Sequence, residues 1–178
     1  AQITGRLEHP GIVPVYDIGV DELGDPFYSM QFVEGRDLEG ILTGDRAGFP
    51  IRRLLQILLR ACDAVAYANS QGVIHRDLKA ANIRVGEFGE VLVLDWGLAK
   101  VLGQDEPLPD SPAGSDPGTG PETIAGAVMG TIGTMSPEQA SGDIAAQSPA
   151  TDVYAMGAIL YQILTGRPPI VRRKGETQ

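Results

Sequence analysis

His75-Arg76-Asp77-Leu78-Lys79-Ala80-Ala81-Asn82 is the stretch on which the reading of this chain turns. A short strand-like pair, Val73-Ile74, leads into it. Beyond it, Asn82 to Val85 and Val91 to Leu94 are short apolar runs joined by Gly86-Glu87-Phe88-Gly89-Glu90, which is a hairpin signal. The second run ends on Asp95-Trp96-Gly97, and Ser136-Pro137-Glu138 stands further on. Taken singly, each piece has an ordinary reading. Asp-Leu-Lys is a solvated turn, Asp95 a strand-end turn residue and His75 a structural side chain. Three such pieces in this order and at this spacing say more than any one of them.

The octapeptide fits the pattern H-R-D-L-x-x-x-N at every fixed position. With Asp95-Trp96-Gly97 and Ser136-Pro137-Glu138 it resembles the protein kinase family, and in particular bacterial serine/threonine kinases of eukaryotic type. The resemblance runs over nearly the whole chain. It implies an α+β, protein-kinase-like fold: a partial small lobe with its last strands and hinge (1–33), then an incomplete, mainly helical large lobe (34–178) with an activation segment at 98–135. It implies transfer of the ATP γ-phosphate to protein serine or threonine, with ATP and Mg2+ as cofactors. Phosphoryl transfer needs positioning and charge neutralisation more than covalent help. The resemblance makes Asp77 the base that meets the substrate hydroxyl, and Lys79 a positive charge on the moving phosphate. Asn82 and Asp95 become oxygen ligands for magnesium, a hard cation. His75 matches a packing histidine of the loop. Thr131, in Gly130-Thr131-Ile132-Gly133-Thr134-Met135-Ser136-Pro137-Glu138, matches a threonine that bonds the catalytic Asp and Lys. Met30 falls at the gatekeeper position, Gln31 and Val33 would offer backbone groups to adenine, and Asp37 would meet the ribose. Asp152 would hydrogen-bond the backbone of the catalytic loop.

The residues have plainer readings beside these. Met30 and Phe32 read equally as strand core, and Asp152 as the N-terminal cap of a helix. Ile12 to Ile18 reads as a strand with an irregular point at Pro14. Asp21 to Asp25 is a turn and Pro26 to Val33 a second strand, giving a hairpin. Apolar residues at 51, 54, 55, 58, 59, 62, 65 and 66 predict a helix over Ile51 to Asn69, with Gly72 past its end. A second helix is expected from Asp152 to Leu164, stopped by Gly166 and Pro168-Pro169. Gly103 to Thr123, rich in proline, glycine and acidic residues, is expected to be mobile.

A length of 178 residues suits one domain or part of a larger one, and 43% hydrophobic residues can build a core. The net charge of -9 argues against a nucleic-acid binder, which usually carries a basic face. A single cysteine, Cys62, allows neither an internal disulfide nor a zinc spacing and reads as a small core residue. No apolar run approaches the roughly 20 residues that span a bilayer, and no signal peptide is visible at Ala1. The expected setting is cytoplasmic, with an anchor outside this stretch left open.

The chain also departs from the family pattern. The resemblance starts late, so the Gly-rich loop, the strand Lys and the helix Glu would lie upstream of Ala1. The Arg that pairs with Glu138 would lie past Gln178. The isolated stretch is therefore expected to be inactive and poorly stable, with Glu138 unpaired. Trp96 replaces Phe, Ser136 replaces Ala and Ala80 replaces Pro. Arg84 stands where an apolar residue usually packs beneath adenine, and Thr4 where an apolar spine residue is usual. Arg76 would pair with a phosphate on Ser111, Ser115, Thr119 or Thr123. Two alternatives stay open: a pseudokinase that keeps the fold as a binding or scaffolding module, and a small-molecule phosphotransferase, which Ser136-Pro137-Glu138 and Thr131 oppose.

Overall fold

The computed structural model describes residues 7–44, 46–103, 131 and 133–170. Thr4, Ser111, Ser115, Thr119, Thr123 and the expected mobile stretch from 104 onward lie outside the described residues.

The first two strands are β1 (Val15–Val20) and β2 (Pro26–Met30), an antiparallel pair with a register shift between Val15 and Asp17. The turn between them is tied by Asp21, whose Oδ1 accepts from the amides of Leu23 and Asp25 at 2.9 Å each. The first strand starts three residues later than its apolar pattern suggests. Pro14 divides the run: Ile12 makes an isolated parallel bridge to Val93 instead. The second strand ends at Met30, three residues early, because the Gln31 amide turns back to the Pro14 carbonyl at 3.2 Å. Met30 and Phe32 are not core residues: they are 47% and 84% exposed.

The chain then crosses to a second sheet. Gly35 has φ +113°, and a Cβ there would sit 2.2 Å from the Val85 carbonyl oxygen, so only glycine fits this crossing. The two-residue strand β3 (Arg36–Asp37) runs into helix α1 (Leu38–Thr43). Asp37 caps α1, its Oδ1 accepting from the Gly40 amide at 2.7 Å. Leu38, Ile41 and Leu42 of α1 are buried. Six residues are too few to leave a readable helical period, and the sequence did not announce this helix.

Helix α2 (Ile51–Ser70) forms as expected, but the face it buries is turned. Leu54, Ile57, Leu58, Ala61, Ala64, Val65 and Ala68 are inside, while Ile51 and Leu59 are 46% and 63% exposed. Ala61, Ala64 and Ala68 share the buried face, Ala64 lying close against Gly11, so the largest apolar side chains do not mark the packed stripe. Cys62 is half-buried against the core, and burial, then the charge of Asp63, raises its thiol pKa.

Next come β4 (Val73–Ile74), β5 (Ile83–Val85), β6 (Val91–Val93) and β7 (Lys100–Val101). β3, β5 and β6 make one antiparallel sheet in that order, and β4 pairs with β7. The expected hairpin after Asn82 is therefore present as β5–β6. Two helices complete the described chain, α3 (Pro137–Ala140) and α4 (Pro149–Thr165). α4 begins three residues before Asp152. Ser148 is its N-cap and Pro149 takes the first turn, where a missing N–H costs nothing. Asp152 is thus inside the helix and is not its cap. Gly166, with φ +76°, ends it as expected.

Leu38, Ile41, Leu54, Leu78, Ile83, Val93, Ile159 and Ile163 are fully buried and join α1, α2, the β3–β5–β6 sheet and α4 into one core. The loop between β4 and β5 is laid across this core, and that loop is His75 to Asn82.

Candidate active site

The loop is held from below by one carboxylate. Asp152, 1% exposed on α4, accepts from the His75 amide at 2.9 Å and the Asn69 side-chain amide at 2.9 Å through Oδ2, and from the Arg76 amide at 3.0 Å through Oδ1. These bonds keep Arg76 in the left-handed region, at φ +71°, which costs a non-glycine residue energy and persists only when neighbours fix it. The Gln139 side chain donates to the Arg76 carbonyl at 2.5 Å, and Arg76 Nε donates to the Leu98 carbonyl. Arg76 also reaches Gln147, at 3.5 Å.

His75 is completely buried and tilted against Trp96, ring centroids 4.6 Å apart. Its Nδ1 accepts from the Asp77 amide at 3.3 Å, so Nε2 carries the proton and donates to the Leu94 carbonyl at 2.9 Å. His75 therefore packs and braces, in agreement with the structural reading of it. Trp96, where the pattern has Phe, is buried with its indole N–H donated to the Val93 carbonyl at 3.1 Å. The larger ring is accommodated without an orphan donor.

Burial holds the His75 imidazole below the ordinary histidine range; the Leu94 carbonyl and the charges of Asp152, Asp77 and Asp95 pull the other way without reversing it. The unfolded chain then binds a proton more readily than the folded one. Stability falls as pH drops below about 6.5, the unfolded value, toward the lower folded value. Denaturant midpoints measured across that window should decline with acid, and a His75→Gln variant should show a shallower decline.

With the loop fixed, its functional side chains converge. Asp77 is 8% exposed. Its Oδ2 takes the Lys79 ammonium at 2.7 Å, and its Oδ1 takes the Thr131 hydroxyl at 2.9 Å. Asn82, buried, donates its Nδ2 to the Asp77 carbonyl at 2.9 Å, which leaves its side-chain oxygen as an acceptor. The Leu94 amide donates to the Asn82 carbonyl at 2.8 Å, so the two loops are joined one residue before Asp95. Asp95 is exposed, with φ +60°. Lys79, Asn82 and Thr131 thus each bond Asp77, and the loop that carries Asp95 is tied to Asn82 through the backbone.

The other sequence candidates sit on a different edge. Met30 is the last residue of β2, Gln31 and Val33 follow it, and Asp37 and Arg84 face each other across β3 and β5. Arg84 is half-buried. Its Nη1 donates to the Gly35 carbonyl at 3.2 Å, while its buried Nε has no partner.

Glu138 is not left unpaired. It is half-buried and accepts the Thr151 hydroxyl at 2.6 Å. Burial pushes its carboxyl up, but hydrogen bonds from Thr151, its own backbone and Ser136 outweigh that and hold it below the ordinary carboxylate range. The first turn of α4 supplies the partner. Three supporting residues went unread in the sequence: Asn69, Gln139 and Gln147. Each acts through one long-range bond, with no motif or period to mark it.

No helix among the described residues is long and apolar enough to cross a membrane. The protein kinase domain family matches residues 1–178. Serine/threonine-protein kinase PknD of Protochlamydia amoebophila is 43% identical over 97% of the chain and 18% of its own length. PknD of Chlamydia pneumoniae is 37% identical over 99% and 20%, and serine/threonine-protein kinase PknB of Mycolicibacterium smegmatis 38% identical over 96% and 25%. The chain spans about a fifth to a quarter of the length of these curated relatives. With an α+β architecture, a match over its full length and relatives at this identity, the chain belongs to the protein kinase domain family.

Proposed function

We infer that the chain is the core of a serine/threonine protein kinase that moves the ATP γ-phosphate to a protein hydroxyl. The observation that carries this reading is the Asp77 carboxylate, with one oxygen on the Lys79 ammonium and the other on the Thr131 hydroxyl. Asp77 orients the incoming serine or threonine hydroxyl and accepts its proton. Lys79, held two residues away, places positive charge where the transferred group's negative charge gathers. Thr131 fixes the carboxylate's rotation and ties the substrate-facing segment to the loop. Residues 1–33 form the end of the small lobe and the hinge, 34–178 the large lobe, and 98–135 the activation segment.

The residues also fit magnesium. Among the described residues no group of three or more His, Cys, Asp or Glu could hold a metal unaided. Magnesium is usually held by one or two carboxylates together with substrate phosphates and water, and neutralises phosphate charge when bound. Asp95 and the free oxygen of Asn82 supply that kind of donor set. For the nucleotide, the Gln31 amide is already bonded to Pro14, so its carbonyl is the group offered to adenine. Met30 and Val33 flank Gln31 in the chain, and Asp37 and Arg84, paired across β3 and β5, are assigned to the same nucleotide. The relatives named serine/threonine-protein kinase support protein substrates.

Titration of the intact protein with ATP, with and without magnesium, tests this reading. Binding should tighten with magnesium in the wild type, and Asp95→Asn should remove most of that gain. Equal affinity with and without the cation in both proteins would instead favour the pseudokinase reading.

A further inference from the structure

On α2, three exposed residues, Arg53, Gln56 and Arg60, line a cavity of about 110 Å3 with Ile57, Val85 and Val91. Its wall is therefore apolar and its rim cationic. The Arg53 guanidinium lies 4.5 Å from the centre of the Phe49 ring, and Arg36 approaches the same ring at 5.9 Å. Stacking of this kind holds Arg53 in place while leaving its in-plane N–H groups able to donate. Arg60 is held by the Gly89 carbonyl at 2.5 Å. In a chain of net charge -9, neither Arg53 nor Arg60 has a carboxylate partner among the described residues. Of the nearby acids, Glu90 accepts from the Phe88 amide at the hairpin tip. Asp63, one turn beyond Arg60, makes no ion pair with it.

We propose that this groove between α2 and the β5–β6 hairpin is a docking site for an extended acidic peptide with an apolar side chain between its acids. Arg53 and Arg60 are seven residues apart on a helix, about 10.5 Å along its axis. On an extended chain, acidic residues four positions apart point to the same face about 13 Å apart, a span two long arginine side chains can meet, and the residue midway between them points to that face as well. Such a peptide sets a carboxylate on each arginine and an aliphatic side chain against Ile57, Val85 and Val91. The pre-positioned, unpaired guanidiniums supply charge-assisted bonds, and the apolar wall supplies selectivity over a free anion.

Fluorescence anisotropy of the intact protein with fluorescein-labelled Gly-Asp-Ala-Leu-Ala-Asp-Gly tests the site. The expected result is saturable binding, absent for the peptide with Lys in place of both Asp. Arg53→Glu should weaken it at least ~10-fold, with Arg53→Lys intermediate. The exposed Arg53 side chain makes no hydrogen bond to the described structure, and its backbone bond to the Pro50 carbonyl survives substitution, so the fold should stay intact and circular dichroism unchanged. Arg60→Glu, which also loses the tie to Gly89, should behave like Arg53→Glu. Absence of saturable binding by the wild type would overturn the proposal, as would equal binding by Arg53→Glu. Arginine-dependent binding of phosphatidylserine vesicles without peptide binding would overturn it too, by assigning the groove to a membrane surface. None of these readouts depends on phosphate transfer.

Discussion

Asp77→Asn in the intact protein should lower phosphate transfer by roughly 10^2 to 10^4, the usual worth of a positioned general base, while nucleotide affinity stays within a few-fold of the wild type. The substitution keeps the shape of the side chain and one oxygen. The Thr131 hydroxyl, at 2.9 Å from Oδ1, can still find an acceptor, so the loop is not expected to collapse. What is lost is the carboxylate that takes the substrate proton and its pairing with Lys79 at 2.7 Å. Single-turnover assays at saturating ATP separate the two effects, because a loss in the chemical step appears there undiminished. A variant that transfers phosphate at the wild-type rate would remove Asp77 from the chemistry.

The second large effect is structural. Asp152→Ala should destabilise the protein by about 3 kcal/mol or more, since three donors lose their acceptor at about 1–3 kcal/mol each. Two of them, the amides of His75 and Arg76, are buried in the loop itself, and the third is the Asn69 side chain. The loss also frees Arg76 from its left-handed conformation, so the loop should relax and activity should fall with stability. Asp152→Asn keeps one acceptor oxygen and should cost less. Denaturant midpoints of the two variants against the wild type measure this. An alanine variant as stable as the wild type would mean that the loop is held by other contacts.

Much of this arrangement is legible in the order of residues, and the rest is missing for physical reasons. The loop, the β5–β6 hairpin and Asp95-Trp96-Gly97 can be read because their chemistry is local, each residue's role lying within a few positions of its neighbours. The contact of Thr131 with Asp77 spans 54 residues and was reached only through resemblance to a family. Gln139 and Asn69 had no such route. Each is one amide bonding to a distant group, and nothing in a helical period distinguishes such an amide from a solvated one. The buried face of α2 was misjudged for a related reason. Hydrophobic size points to Leu59, yet the buried face carries Ala61, Ala64 and Ala68, small side chains that hydrophobic size does not mark. The hydroxyl that meets Glu138 at 2.6 Å is equally unmarked, because Thr151 is set by a helix that begins earlier than its apolar pattern suggests.

The central claim is that the Asp77 centre moves phosphate from ATP to serine or threonine. The most direct measurement is incubation of the intact protein with γ-labelled ATP and magnesium, followed by acid hydrolysis and separation of the labelled amino acids. The account predicts magnesium-dependent label in phosphoserine or phosphothreonine. Nucleotide binding with no label in either amino acid would contradict it and leave a domain that keeps the kinase fold for binding alone.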